Sequence, residues 1–250
     1  MKAIAQAAIS MLLMIVTAVV LVPAGVVTLF RSRRLYARIA TVLARCILRV
    51  YGVRIRVHES GLPCRSGDAA KADFPRSQTV YISNHTSTLD LFILVALGLP
   101  NCRFFLSGFL RKWIPLGFIA WMMGTFFTVP QDRPQERTRI FTNAGDVLRR
   151  TGESVYLSPE GGRITTGDIG HFNKGAFHLA TVLRVPIVPL YFHIPREIDP
   201  GLGYQTGPGT VDIYVLPAIH TTDWKETDVV ENKERVRALF VRTHQELRCA

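Results

Sequence analysis

Cysteine is sparse in this chain and forms no pattern. Cys46, Cys64, Cys102 and Cys249 show no C-x-x-C spacing, and two of them sit in apolar surroundings. Neither a disulfide framework nor a zinc site is suggested, which agrees with a reducing compartment. Acidic residues are also short: 19 Asp and Glu stand against 30 Lys and Arg, a formal charge of +11 and a pI near 10.0. That excess asks for anionic partners, whether nucleic acid, phospholipid headgroups or a phosphorylated substrate. The mean hydropathy of +0.20 is high for a basic soluble protein and suits a membrane surface better. The basic residues accompany aliphatic stripes and form no reader motif, so no nucleic-acid partner is expected. The G-x-S-x-G elbow of serine acyl-enzyme catalysis is missing. With neither an internal repeat nor a low-complexity tract, 250 residues make one α/β domain plus an appendage.

Charge is absent altogether from Ala3 to Phe30, where only Gln6, Ser10, Thr17 and Thr28 interrupt an apolar run. The run exceeds the roughly 20 residues that span a bilayer. It is too long for an ordinary signal-peptide core and no A-x-A site precedes the basic cluster, so an uncleaved anchor is expected. A kink at Pro23 and Gly25 would let it enter one leaflet instead of crossing. Arg31-Ser32-Arg33-Arg34 follows, then a helical segment to about Gly52. In it Arg34, Arg38, Arg45 and Arg49 fall within roughly 60° of the helical wheel, with Leu35, Ile39, Val42, Leu43, Cys46 and Val50 on another side. Such a pair of stripes lies well at an anionic lipid interface; the plain alternative is a solvated Arg face over an ordinary core. Only Lys2 precedes the apolar run, so the positive-inside rule places the remaining chain on the cytoplasmic side of an inner or cytoplasmic membrane. Residues 1–52 are thus expected as membrane-anchoring helices and 53–250 as the α/β domain.

In that domain, Val53–Val57 alternates apolar and basic residues like a half-exposed strand, and Gly61 to Gln78 reads as a surface loop. Val80-Tyr81-Ile82-Ser83 is a short apolar run that stops at Asn84-His85; Thr86-Ser87-Thr88 and the apolar segment from Leu89 follow, reading as strand, tight loop and helix start. His85 and Asp90 are five residues apart, about 140° around a continuous helix, so they meet only if the chain turns between them. A neutral His held by a carboxylate is a general base near pH 7. Ser87-x-x-Asp90 equally fits a capping box in which Asp90 merely accepts backbone N–H groups. Leu110 to Val129 is apolar and aromatic, either buried core or an acyl-chain groove or membrane-facing patch. Helical periodicity resumes through Phe141 to Leu148, and the strand Ser154–Leu157 ends on Pro159-Glu160-Gly161-Gly162-Arg163, a loop of the kind where α/β sheets gather ligands. Glycines there permit close backbone approach and Arg163 offers a planar fork for phosphate, although a simple turn with a surface ion pair fits too.

Four blocks stand in order: N-H-T-S-T-L-D (Asn84 to Asp90), G-T-F-F (Gly124 to Phe127), P-E-G-G-R (Pro159 to Arg163) and V-P-I-V-P-L (Val185 to Leu190). Together with F-N-K-G-A-F-H-L-A (Phe172 to Ala180), they resemble the PlsC-like glycerolipid acyltransferases, the 1-acylglycerol-3-phosphate acyltransferase family. The resemblance implies an α/β core with a central mostly parallel or mixed sheet flanked by helices and an N-terminal helical membrane anchor. It implies transfer of an acyl group from acyl-CoA or acyl-carrier protein, as co-substrate without other cofactor or metal, to the free hydroxyl of a lysophospholipid in the membrane. It implies His85 as general base oriented by Asp90, and Asn84, Gly124, Glu160, Gly161, Gly162, Arg163 and Lys174 as substrate-binding, with Arg163 on the phosphate. Two positions depart from the pattern. Gly162 stands where the family usually has Thr, and Pro130 stands where an Arg follows the second block by six residues. Either Arg133, three further on, reaches the phosphate instead, or that contact is lost and another lysolipid, such as a lyso-aminolipid, is the acceptor.

Overall fold

The computed structural model describes residues 2–59, 67–68, 74–199 and 206–248. Cys64, Cys249 and most of the loop expected between Gly61 and Gln78 lie outside the described residues. Strands covered on both faces show continuous apolar runs instead of alternation. Three segments read this way: β3 (Val80–Ser83), β6 (Ser154–Leu157) and β7 (Ile187–His193), in which every residue but His193 is buried. They form the middle of an eight-stranded sheet, with β4 (Cys102–Ser107) and β5 (Phe126–Thr128) beyond β6. Beyond β7 lie β8 (Gly209–Val215), β1 (Val53–Glu59) and the two-residue β2 (Gly67–Asp68). The order is β2-β1-β8-β7-β3-β6-β4-β5. Strands β3 to β7 are mutually parallel, while β8 runs antiparallel to β7 and takes β1 with it. The sheet is mixed and flanked by helices, as expected.

Alternate side chains of each strand sort into two cores. Tyr81, Phe104, Tyr156, Val188 and Leu190 pack toward α2 (Arg33–Tyr51), α3 (Asp90–Leu97) and α4 (Leu116–Met122). Val80, Ile82, Phe105, Val155 and Ile187 pack toward α5 (Pro134–Thr151), α6 (Gly175–Leu183) and α7 (Val229–Arg248). The parallel arrangement brings the C-terminal ends of β3, β4, β5, β6 and β7 to one edge, the customary place for a site in such sheets.

The uncharged run becomes α1 (Lys2–Val27), which continues through Pro23. Its outward face leaves Leu12, Val19 and Val26 exposed, while Leu21 is fully buried. Its polar side chains are all satisfied internally: Ser10, Thr17 and Thr28 hydroxyls donate to the carbonyls four residues back, and Gln6 Nε2 donates to Val50 O at 3.1 Å. The Gln6 contact and the Thr28–Tyr36 hydroxyl pair, at opposite ends, lay α1 antiparallel along α2. On α2 the buried face is Tyr36, Ala40, Leu43, Ala44, Ile47 and Leu48. Of the aliphatic side read from the wheel, only Leu43 is buried; Val42 is 61% exposed and Leu35 38%. The helix therefore has a core face, an Arg stripe and a separate exposed aliphatic face. In the Arg stripe, Arg45 Nε caps Ala96 O of α3 at 3.0 Å and Arg34 Nε donates to Asn101 Oδ1 at 3.2 Å.

Leu110 to Val129, with Phe109 just before it, is divided between core and surface. Ile119, Ala120, Met122 and Met123 are buried, whereas Phe109, Trp113, Ile114 and Trp121 are exposed. The three-residue β5 inside it and the first turns of α5, opened by Pro134, are elements the periodicity did not indicate.

Candidate active site

The turn between β3 and α3 brings His85 and Asp90 together. His85 Nδ1 donates to Asp90 Oδ2 at 2.7 Å, which leaves Nε2 as the acceptor of the imidazole. The same carboxylate oxygen accepts the N–H groups of Thr86 (2.9 Å) and Ser87 (3.0 Å). The two readings of Asp90, loop cap and imidazole partner, are therefore both true of one oxygen. Asp90 is buried, while the His85 side chain keeps 34% of its surface accessible. A fixed tautomer with its basic nitrogen at the surface is the geometry of a general base.

Glu160 joins the second loop to the first. Its Oε2 accepts His85 N at 2.5 Å and its Oε1 accepts Gly170 N at 2.7 Å; Ile164 N in turn donates to His85 O at 2.8 Å. Burial pushes the Glu160 carboxyl above the usual range, against the opposing pull of the Gly170 and His85 N–H groups. With each oxygen accepting a backbone N–H and the residue buried, Glu160 braces the His85 peptide. Beneath it, Tyr156 shares a hydrogen bond of 2.9 Å with Ser83 Oγ, and burial raises its phenol far above the ordinary value.

Asn84 is likewise occupied. Its amide donates to Phe192 O at 3.0 Å and accepts Phe192 N at 2.8 Å, so this buried side chain ties β3 to the end of β7. Gly161 and Gly162 form the exposed turn beside this brace. Gly161 has φ +70°, and a Cβ there would stand 2.7 Å from Asn173 Nδ2. At Gly162 a Cβ would meet nothing within 4 Å, so the side chain usual in the family is missing from open space. Arg163 is partly buried, and its Nη1 is a buried donor with no hydrogen-bond partner. A buried guanidinium nitrogen left unpaired is costly, and its ordinary partner is an oxygen acceptor, best an anionic one.

The remaining expected residues are not gathered here. Gly124 lies at the start of β5, under Arg33 and Arg103, at the strand end opposite His85. Arg133 is the N-cap residue of α5, with an exposed side chain 3.6 Å from Glu136 on its own helix. Gln131 is the residue of that loop that reaches the turn: its Nε2 is 3.4 Å from Asn173 Oδ1. Lys174 precedes α6 with an exposed side chain. Residues missed by the sequence reading include Asn173, whose Nδ2 donates to Pro159 O and Glu160 O, and Asp199. Asp199 Oδ2 accepts Ser87 Oγ and, at 3.3 Å each, Thr88 N and Oγ1. Asn173 stands in the Phe172–Ala180 block singled out above, whereas no local signal in the sequence marks Asp199.

An apolar cavity of about 30 Å³ lies behind the pair, between α2, α3, α4 and β4. Leu91 and Phe92, which follow Asp90 in sequence, line it together with Ala40, Leu43 and Met123.

Residues 66–193 match the family model described as Acyltransferase, just over half of the chain. The human 1-acyl-sn-glycerol-3-phosphate acyltransferase beta is 32% identical over 180 residues, 72% of this chain; the match spans only 60% of the human protein. The 1-acyl-sn-glycerol-3-phosphate acyltransferase of Pseudomonas aeruginosa is 28% identical over 178 residues, 70% of this chain and 67% of its own. The crystal structure of PlsC, the 1-acyl-sn-glycerophosphate acyltransferase of Thermotoga maritima, superimposes with a TM-score of 0.71 at 18% identity, over 100% of this chain and 99% of that one, which is a likeness of fold. On the family match, with the His85–Asp90 pair inside the matched segment, this chain belongs to the acyltransferase family.

Proposed function

We propose that the protein moves a fatty acyl group from an acyl thioester, acyl-CoA or acyl-carrier protein, to the free hydroxyl of a lysophospholipid, with 1-acylglycerol-3-phosphate as the leading acceptor. The observation that carries the reading is the accessible His85 Nε2, backed by Asp90 and braced against the Pro159–Arg163 loop. Nε2 takes the proton as the acceptor oxygen bonds to the thioester carbonyl carbon. The C–S bond then breaks, and the imidazolium returns the proton to the departing thiolate. Asp90 holds the tautomer and stabilises the transient imidazolium. The unpaired Arg163 Nη1 takes the acceptor phosphate. The cavity from Leu91 to Ala40 takes the start of an acyl chain. The exposed apolar faces of α1 and α4 hold the domain at the cytoplasmic face of a membrane, where such lipids reside.

A second reading keeps the chemistry and changes the acceptor. Because Arg133 is engaged by Glu136 and Gln131 takes its place near the turn, the acceptor rim offers one guanidinium where two were expected. A lysolipid with less negative charge, such as a lyso-aminolipid, fits that rim. One assay separates the possibilities: thiol release from acyl-CoA by the whole protein, with a panel of lysolipids. Acceptor-dependent release supports transfer, and the preferred acceptor decides between the readings. Release without any acceptor would mean that water takes the acyl group and that the protein is a hydrolase of the acyl thioester instead of a transferase. His85→Ala is expected to lose roughly 10²–10⁴-fold in kcat, the usual contribution of general-base catalysis, while keeping membrane binding; substantial acceptor-dependent turnover by that variant would rule the mechanism out.

A further inference from the structure

The chain of hydrogen bonds that ends on His85 begins on the C-terminal helix. Partway along α7, Arg237 reaches across to the loop before α6. Its Nε donates to Gly170 O at 2.7 Å and its Nη2 donates to Ile169 O at 3.1 Å. The N–H of the same Gly170 donates to Glu160 Oε1, and Glu160 Oε2 accepts His85 N. One planar fork thus fixes two successive carbonyls, and the peptide between α7 and Glu160 is oriented from both its ends. The loop is also pressed close: a Cβ at Gly170 would stand 2.8 Å from Ile164 Cδ1 and 3.3 Å from Glu160 Oε1.

The anchor behind Arg237 is rigid. Phe240, one turn on, is fully buried and meets the ring of Phe172 edge-on at 5.3 Å, so α7 holds residues 169–172 by a guanidinium and a phenyl ring together. Neither residue belongs to the segment that matches the family model, which stops at 193. Among the described residues, Lys233 also faces this loop, its Nζ 3.5 Å from His171 Nε2, but it is held by Glu234 at 2.8 Å and touches neither carbonyl that Arg237 binds.

We propose that Arg237 is a positioning residue for His85, setting the catalytic peptide through Gly170 and Glu160 from outside the segment that matches the family. The inference rests on the acyl-transfer reading for its kinetic consequence, but its structural consequence is independent of any substrate. Arg237 does not reach the reacting atoms. It fixes how His85 Nε2 is presented, and general-base catalysis is sensitive to displacements well under the length of a bond.

The experiment uses the whole protein and two readouts. By amide hydrogen exchange, Arg237→Ala should speed exchange at Gly170 and His85 while the buried strand amides of β3 and β6 keep wild-type protection. In the thiol-release assay with the best acceptor, it should lower kcat about ten- to hundredfold, the cost of misplacing a catalytic group by a fraction of an ångström to an ångström, with KM changed little. Arg237→Lys, which supplies one donor group without the fork, should fall between. Combined with Glu160→Gln, Arg237→Ala should add almost nothing to the loss from Glu160→Gln alone, because the two act along one chain. Leu148→Ala on α5 provides the control, since it empties part of the same core and lowers Tm away from the Arg237–Gly170–Glu160 chain, and it should retain kcat. The proposal is overturned if Arg237→Ala leaves both exchange at His85 and kcat unchanged. It is overturned equally if its loss multiplies with that of Glu160→Gln, or if Leu148→Ala at equal loss of Tm lowers kcat as much. Wild-type protein with no acceptor-dependent transfer would instead refute the proposed function, and the exchange result would still decide the contact.

Discussion

Glu160 carries a cost that a pH series makes visible. Burial raises its carboxyl pKa, and the N–H groups of Gly170 and His85 recover only part of the shift. A carboxyl raised in the folded protein holds its proton to higher pH than it does in the unfolded chain. Below the ordinary glutamate range both states are protonated. As pH rises from there through the raised folded value, the unfolded chain ionises first and the folded protein loses stability; above that value the slope ends. Gln cannot ionise, but its NH₂ faces one of two N–H donors, a conflict worth about 1–3 kcal/mol. Glu160→Gln should therefore lower Tm throughout, and the margin of wild type over the variant should narrow across that window and level off above it. Calorimetry at a series of pH values measures both. A margin that widens with rising pH would mean that the two N–H donors outweigh burial. At the same scale, Asn84 warns against reading a role from neighbourhood: it adjoins His85 in sequence, yet its whole amide pairs with Phe192.

Among the elements, α2, α3, α4 and β4 jointly enclose the apolar cavity, so its depth is set by the residues opposite Asp90. Ala40 on α2 is buried and small, and Phe in its place would fill that end. Overpacking costs about 1–3 kcal/mol of stability. If the cavity receives the acyl chain, Ala40→Phe should lower kcat/KM for long-chain donors at least about tenfold more than for short ones, since each methylene refused is worth about 1–3 kcal/mol. Equal loss at every chain length would mean that the cavity is only a packing defect. The elements also separate what was legible in the sequence from what was not. The β3–loop–α3 unit could be read because its determinants are local: an apolar run that stops, then His85 and Asp90 at a spacing that demands a turn. The braces could not. Asn173, Gly170, Asp199 and Arg237 make their contacts across 10 to 112 positions of sequence, and nothing near them names the partner. β5 was hidden because three residues in an aromatic run have no period to display. The surroundings of Arg133 were hidden for a different reason: α5 starts at Pro134, earlier than its apolar periodicity begins, and that start sets Arg133 beside Glu136.

For the molecule as a whole, the decisive relation is that α1 has company along its length. At about 39 Å, α1 is long enough to cross a hydrocarbon layer of about 30 Å. α2 lies antiparallel along it, however, and carries the exposed cations Arg38 and Arg49. Sinking α1 through the bilayer would draw those guanidinium groups into hydrocarbon at a cost of about 2.5–3.5 kcal/mol each or more. Lying within one leaflet avoids this. α1 then turns its exposed aliphatic face to the acyl chains, and Phe30, which rests against Gly25 and Trp121, joins Trp113 and Ile114 at the interface. Arg31, Arg33, Arg34 and Arg38, all exposed, stand at the level of the headgroups. The expected topology therefore has both ends of α1 on the side of the catalytic domain. A cysteine placed at Ala3 and challenged with a membrane-impermeant thiol reagent tests this in sealed vesicles that carry the domain outside. Labelling from outside, without permeabilising the vesicles, is the expected result. Labelling only after permeabilisation would establish a crossing helix and require Arg38 and Arg49 to leave the places beside α1 that the fold gives them.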